Sequence, residues 1–204
     1  EVRFQLKPME MFLTLLEDTL NLIYPKVCVA CGIHLPSGIR FVCPKCRSDI
    51  PRTDFHRERD NPVEQIFWGR APIRFAASMF HYVKGSKYQN LIHNVKYQGN
   101  KALGYEMGKF YGTELMESPF TESDLVVPVP LHPKKKRKRG FNQSEWIGKG
   151  LAEVLSKPLV SNNLYRYVNT ESQTKKSRYE RWKNVENVFR MKSIDPFRNR
   201  HVLL

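Results

Sequence analysis

The chain has 204 residues, 41% hydrophobic and 26% charged, which fits one folded domain of ordinary size plus a small appendage and excludes a disordered tract. Its 34 Lys and Arg against 20 Asp and Glu give a formal net charge of +14, which favours an anionic partner such as nucleic acid, a phosphorylated small molecule or an acidic surface. No stretch approaches the roughly 18–20 apolar residues of a membrane span, and no cationic start precedes an uninterrupted apolar core. No signal peptide is therefore expected, and the cytoplasm is the expected compartment.

Met9, Phe12, Leu13, Leu16, Leu20 and Ile23 recur at helical spacing, so residues 1–24 are expected to hold an amphipathic helix over 8–23. Glu10, Glu17 and Asp18 make its polar face acidic, which favours packing on protein over binding to an anionic membrane surface.

Residues 25–56 carry every cysteine in the chain. Cys28-x-x-Cys31 and Cys43-x-x-Cys46 are separated by 11 residues. Two such pairs supply four thiolates for a tetrahedral Zn2+, and a closed shell of four makes that zinc structural. Disulfides or a redox pair are the alternatives. The expected compartment disfavours the first, and the turn-rich setting disfavours the second. His34 reads as a bystander.

Residues 57–70 read as a charged connector. Residues 73–83 have strand-like composition. Ser86 is placed to cap a helix carrying Tyr88, Leu91, Ile92 and Val95 and ended by Gly99. Leu103, Met107, Phe110 and Leu115 mark another helix, and 124–130 a short strand closed by prolines. Lys134–Arg139 reads as a basic loop. After it Asn142, with Glu145, is expected to N-cap a helix whose buried stripe is Ile147, Leu151, Val154 and Leu155. Residues 158–168 suit a strand, Ser177 with Glu180 a further helix start, and His201–Leu204 a last strand. Strands alternating with helices predict an α/β fold with a parallel sheet.

Strand, basic loop and helix N-terminus together suit a polyanion, because backbone N–H groups and the helix dipole face the ligand there. Lys138, Arg139 and Gly140 are the expected edge, followed by Asn142 and Gln143. A nuclear-localisation tag and a merely solvated loop are the competing readings of the run.

"VVPVPLHPKKKRKRGFNQSEWIGKGLAEVL" (126–155) resembles the signature of the ComF/GntX-type family. The four-cysteine segment 28–46 and residues 80–103 and 170–189 are similar to that family as well. The resemblance implies a type I phosphoribosyltransferase-like domain over 70–204 behind the zinc ribbon, binding phosphoribosyl pyrophosphate (PRPP) with Mg2+ and linked to DNA uptake and competence. It implies that 166–181 form the loop closing over pyrophosphate, with Lys175, Lys176, Arg178 and Arg181 stabilising the departing group. Gln173 and Asn184 match the motif without an assigned role. It also implies a cis peptide in the first loop, least costly at Pro128, Pro130 or Pro133. The family's main PRPP motif would follow Leu204, so the chain reads as C-terminally truncated and inactive by itself. Phosphoribosyl transfer is the expected function. A non-catalytic zinc protein handling single-stranded DNA with competence or recombination proteins is the alternative, and a PRPP sensor without turnover is a weaker one. The sequence does not specify an acceptor substrate or an oligomeric state.

Overall fold

A computed structural model describes residues 25–169 and 187–204. The helix expected over 8–23 lies outside these residues. So do Lys175, Lys176, Arg178 and Arg181, the Ser177–Glu180 helix start, Gln173 and Asn184. Two compact units emerge, Glu1–Ile50 with Val83–Asn90, and Pro51–Tyr82 with Leu91–Leu204. Residues 83–90, counted with the larger domain in the sequence, join the cysteine unit: Asn90 Nδ2 donates to Ala30 O at 3.3 Å, and Lys87 pairs with Asp49 at 3.7 Å.

The described helices are α1 (Pro44–Ser48), α2 (Pro62–Gln65), α3 (Gln89–Tyr97), α4 (Lys101–Leu115), α5 (Pro133–Arg139) and α6 (Gln143–Val154). The strands are β1 (Leu125–Val126), β2 (Leu164–Arg166), β3 (Phe189–Met191) and β4 (Val202–Leu203). β1 is central. It pairs in parallel with β4, Leu125 against Val202 and Val126 against Leu203, and on its other edge bridges in parallel to Leu159. The chain thus runs from β1 through α5 and α6 and returns beside β1 in parallel, the connection expected of an α/β fold. β2 and β3 form a separate antiparallel pair. Among the described residues no peptide bond is cis, so the cis X-Pro bond expected at Pro128, Pro130 or Pro133 is not found.

Leu125, Val126 and Val127 are fully buried, as are Leu91 and Val95 of α3 and Leu103 and Leu115 of α4. The α4–α6 contact is made by glycine rather than by the predicted aliphatic stripe alone. On α6, Gly148, Gly150 and Ala152 are buried, and on α4 Gly104, Gly108 and Gly112 are. A Cβ at Gly108 would run into the carbonyl of Ile147, and one at Gly150 into the carbonyl of Tyr105. Backbone therefore rests on backbone, and Ile147, Leu151 and Val154 are only half-buried beside the seam.

Two expectations are corrected. Residues 57–70 are not a simple connector. Asn61 caps α2, its Oδ1 accepting from the N–H groups of Val63 (2.9 Å) and Glu64 (3.1 Å), while its Nδ2 donates to the carbonyls of Phe55, Glu58 and Ala76. The buried Glu64 carboxylate accepts from the N–H groups of Asp60 at 2.7 Å and Ala76 at 3.2 Å. Residues 73–83, in turn, form no strand beyond one antiparallel bridge, Arg52 to Phe80. Side chains take the ladder's place: Ala76 bonds Glu64 and Asn61, and the Ser78 carbonyl accepts from the Thr53 hydroxyl. These bonds satisfy part of the backbone without a neighbouring strand.

Candidate functional site

The cysteine unit builds its site from two tight turns. Val27 bridges to His34, Gly32 sits at φ +76° to close the first turn, and the Cys28 N–H donates to Ile33 O at 2.8 Å. The second pair opens α1. Cys43 is its N-cap, accepting from the Cys46 N–H at 3.4 Å, and the Cys43 N–H donates to Cys28 Sγ at 3.4 Å. All four cysteines are free thiols whose Sγ atoms lie within 4.8 Å of one another; Cys28, Cys43 and Cys46 are buried and Cys31 is exposed. A tetrahedron with Zn–S bonds of about 2.3 Å places sulfurs about 3.8 Å apart, and Cys31 and Cys43 stand at 3.8 Å. These four residues could hold a zinc ion, and the backbone N–H donors on their sulfurs suit thiolates. Burial raises the Cys28 thiol, but donors from Cys43, Cys31 and Ala30 outweigh it and bring the group down to about 6. Burial first, then the neighbouring Cys31 and Cys43 sulfurs and the Cys28 charge, push Cys46 up to about 12. A Zn2+ among the four sulfurs would supply the positive charge that lets them ionise together. His34 is exposed and outside the cluster, as expected.

In the α/β unit, the expected basic loop is a helix. Pro133 stands at N1 of α5, and the His132 ring accepts from the Lys134 N–H at 3.2 Å. The Lys and Arg residues are good helix formers, and the last turn is cationic where the dipole favours it. Gly140, at φ +82°, ends the helix, its N–H donating to Lys136 O at 2.8 Å. Helical geometry sorts the cations. Lys135 and Arg139, one turn apart, are half-buried on the inner face, whereas Lys134, Lys136, Arg137 and Lys138 are exposed. The Lys135 ammonium is pushed below its usual range by burial, then by Arg166 and Arg139 nearby. Arg166, from β2, is lowered by burial. Lys135 and Arg139 thus share one face of α5, and the Arg139 guanidinium lies 5.7 Å from the Tyr97 ring.

The capping box expected at Asn142 and Glu145 is absent. Asn142 occupies the N-cap position of α6 but its side chain caps nothing; its Nδ2 donates to Val129 O at 3.0 Å, fastening the helix start to the chain leaving β1. Its buried Oδ1 has no hydrogen-bond partner among the described residues. Glu145 instead pairs with Lys136 at 3.4 Å and Lys149 at 3.9 Å. Gln143 donates to Lys96 O at 3.4 Å. Of the predicted edge, Arg139 therefore faces inward, Lys138 faces solvent, Gly140 terminates a helix, and Asn142 and Gln143 tie elements together. Sequence reasoning passed over Lys135 and Arg166. The Pro-at-start, Gly-past-end pattern of Pro133 and Gly140 signals the helix that puts Lys135 beside Arg139; Arg166 has no local signal. A cleft of about 690 Å³ also borders β1, with mainly apolar walls that include Phe67, Leu115, Val127, Ile147 and Leu151.

A four-cysteine module that could hold a zinc ion and an α/β unit built on a small parallel sheet define the class of the chain. No family model matches the chain, and no solved structure matches it. Curated relatives do. Competence protein ComFC of Bacillus subtilis (strain 168) is 26% identical over 178 residues, 87% of this chain and 64% of that protein. DNA utilization protein YhgH of Escherichia coli (strain K12) is 27% identical over 199 residues, 90% of this chain and 84% of that protein. Competence protein F of Haemophilus influenzae is 30% identical over 66 residues, 32% of this chain and 29% of that protein. The chain therefore spans less than two thirds of the Bacillus relative's length. The resemblance to ComF-type proteins read from the sequence is borne out over most of the chain. Among the described residues, no helix is long and apolar enough to cross a membrane.

Proposed function

We propose that the chain belongs to a PRPP-binding protein serving DNA uptake, and that the inner face of α5 is the phosphate-binding edge. The single observation carrying this reading is the pair Lys135 and Arg139, one turn apart and half-buried on the same face of α5, the helix that leads into α6. Like charges gathered in a half-buried place disfavour one another until an anion arrives. The names of the relatives, competence and DNA utilization, support the link to DNA. In phosphoribosyl transfer a nucleophile bonds to the anomeric carbon while its bond to pyrophosphate breaks and the electron pair leaves with the diphosphate. Cations fixed at that edge neutralise the growing charge. Mg2+, bound with PRPP, would share that neutralisation. Lys175, Lys176, Arg178 and Arg181 are proposed to complete the cover, and the four cysteines to hold structural zinc.

Thermal unfolding with PRPP and Mg2+, or with pyrophosphate, is the test. At a hundred times the dissociation constant, binding adds about 2.7 kcal/mol. The shift should vanish in Lys135→Ala/Arg139→Ala, and no shift with either ligand in the wild type sinks the reading. A second reading, a DNA-handling role without turnover, is favoured by the exposed face of the β2–β3 pair.

A further inference from the structure

The β2–β3 pair divides its side chains between two surfaces. Strand residues alternate sides, so Tyr165 and Tyr167 share one face and Arg166 takes the other, its guanidinium 5.5 Å from the Phe189 ring. In register, Tyr165 stands opposite Arg190 and Arg166 opposite Phe189. Tyr165 is 40% exposed and Tyr167 43%, large values for rings on a paired strand. The Arg190 guanidinium stacks 4.4 Å from the Tyr167 ring, and Arg190 is itself exposed. The two strands hold no acidic residue, and exposed Lys192 follows β3. An apolar partner is disfavoured by the two phenol hydroxyls and the guanidinium, and an acidic peptide would leave the rings unused. Flat rings two residues apart, with a planar cation stacked on one of them and a strongly positive chain behind, fit stacked bases joined by phosphates.

We propose that the exposed face of Tyr165, Tyr167 and Arg190 is a stacking platform for single-stranded nucleic acid. One base lies on the Tyr165 ring and the next on the stacked Tyr167 and Arg190, whose guanidinium edge offers N–H donors to the phosphate joining them. The proposal rests on the DNA-handling reading above but uses residues separate from the phosphate edge of α5. It is sequence-tolerant, because every base has a flat face, and it selects against duplex, whose bases are already stacked.

Anisotropy of fluorescein-labelled oligothymidylate, oligouridylate and a duplex, each of about 20 nucleotides, tests it on the whole chain at several salt concentrations. Single strands should bind more tightly than the duplex, and affinity should fall with salt. The two single-strand arms tell DNA from RNA. Tyr165→Ala and Tyr167→Ala should each weaken single-strand binding roughly tenfold, Tyr165→Phe/Tyr167→Phe should retain it, and Arg190→Ala should weaken it and flatten the salt slope. If the alanine variants do not fold, the phenylalanine pair and Arg190→Ala decide. Pyrophosphate binding, which reads the α5 edge, should survive all of these changes. The platform is overturned if the tyrosine-to-alanine variants bind oligothymidylate within twofold of wild type, if the phenylalanine pair or Arg190→Ala departs from these expectations, or if the duplex binds as tightly as the single strand. Loss of pyrophosphate binding in Lys135→Ala/Arg139→Ala with oligonucleotide binding retained would leave the platform standing. No pyrophosphate binding in wild type, with oligonucleotide binding intact, would sink only the PRPP reading.

Discussion

The cysteine unit and the α/β unit are held by opposite means. The first has few buried apolar residues in its described part, among them Ala30, Leu35, Ile50 and Tyr88, and gathers its order around four sulfurs. The second buries aliphatic residues on three helices and a strand and seats two helices together through glycine. One is organised by a point and the other by a seam. A small unit without a large core needs a staple, whereas a larger one can rely on packing.

That contrast can be broken at its strongest place first. Cys43→Ser, or removal of metal with a chelator, should unfold the cysteine unit, since structural zinc in such modules is worth about 10–16 kcal/mol of folding free energy. Limited proteolysis should then cut within residues 25–50 while the α4–α6 fragments persist; survival of both units would mean that no staple is needed. The seam comes next. Gly108→Ala or Gly150→Ala drives a methyl into a backbone carbonyl and should cost about 3 kcal/mol in urea unfolding, at the upper end of overpacking. Gly104→Ala meets Val95 at 3.4 Å, Trp146 at 3.5 Å and Ile147 at 3.9 Å, all side-chain atoms, and should cost little or stabilise. Asn61→Ala removes a cap and the donor to the Glu58 and Ala76 carbonyls, an expected loss of about 2 kcal/mol by the same measurement. The smallest effect is electrostatic. Burial and two guanidinium groups lower Lys135 in the folded state, so its positive charge disfavours folding, a cost that is full below the lowered value and fades as the pH rises from there to the ordinary lysine range. Lys135→Met should therefore raise the melting temperature by about 1–2 °C in anion-free buffer, and pyrophosphate should reverse the order of the two proteins.

Legibility followed the same division. The cysteine cluster was readable because two residues between ligands fix its geometry locally. Helices α3, α4 and α6 and strand β1 announced themselves by periodicity and composition. The nature of the α4–α6 contact did not, because a glycine carries no hydrophobic signal and its role depends on the chain opposite. The knot around Asn61 and Glu64 was hidden for a related reason: its hydrogen bonds join residues up to 15 positions apart, so the segment looked like a polar connector. The basic run was misread through its charge. Charge density suggested a loop, while Pro133 and Gly140 were marking helix ends. The pairing of Lys135 with Arg139 on one face depended on helical phase, which charge density does not show.

The glycine seam also has a mechanical consequence. Side chains that fill an interface can change rotamer, so two helices packed through them can shift by fractions of an ångström. Where carbonyl meets Cα, nothing can rotate out of the way. The start of α6, and with it the Asn142 link to Val129 and the end of α5, is therefore held to a narrow positional tolerance by α4. A site meant to meet a ligand of fixed size gains from such a stop, which limits its play whatever the temperature or the occupant.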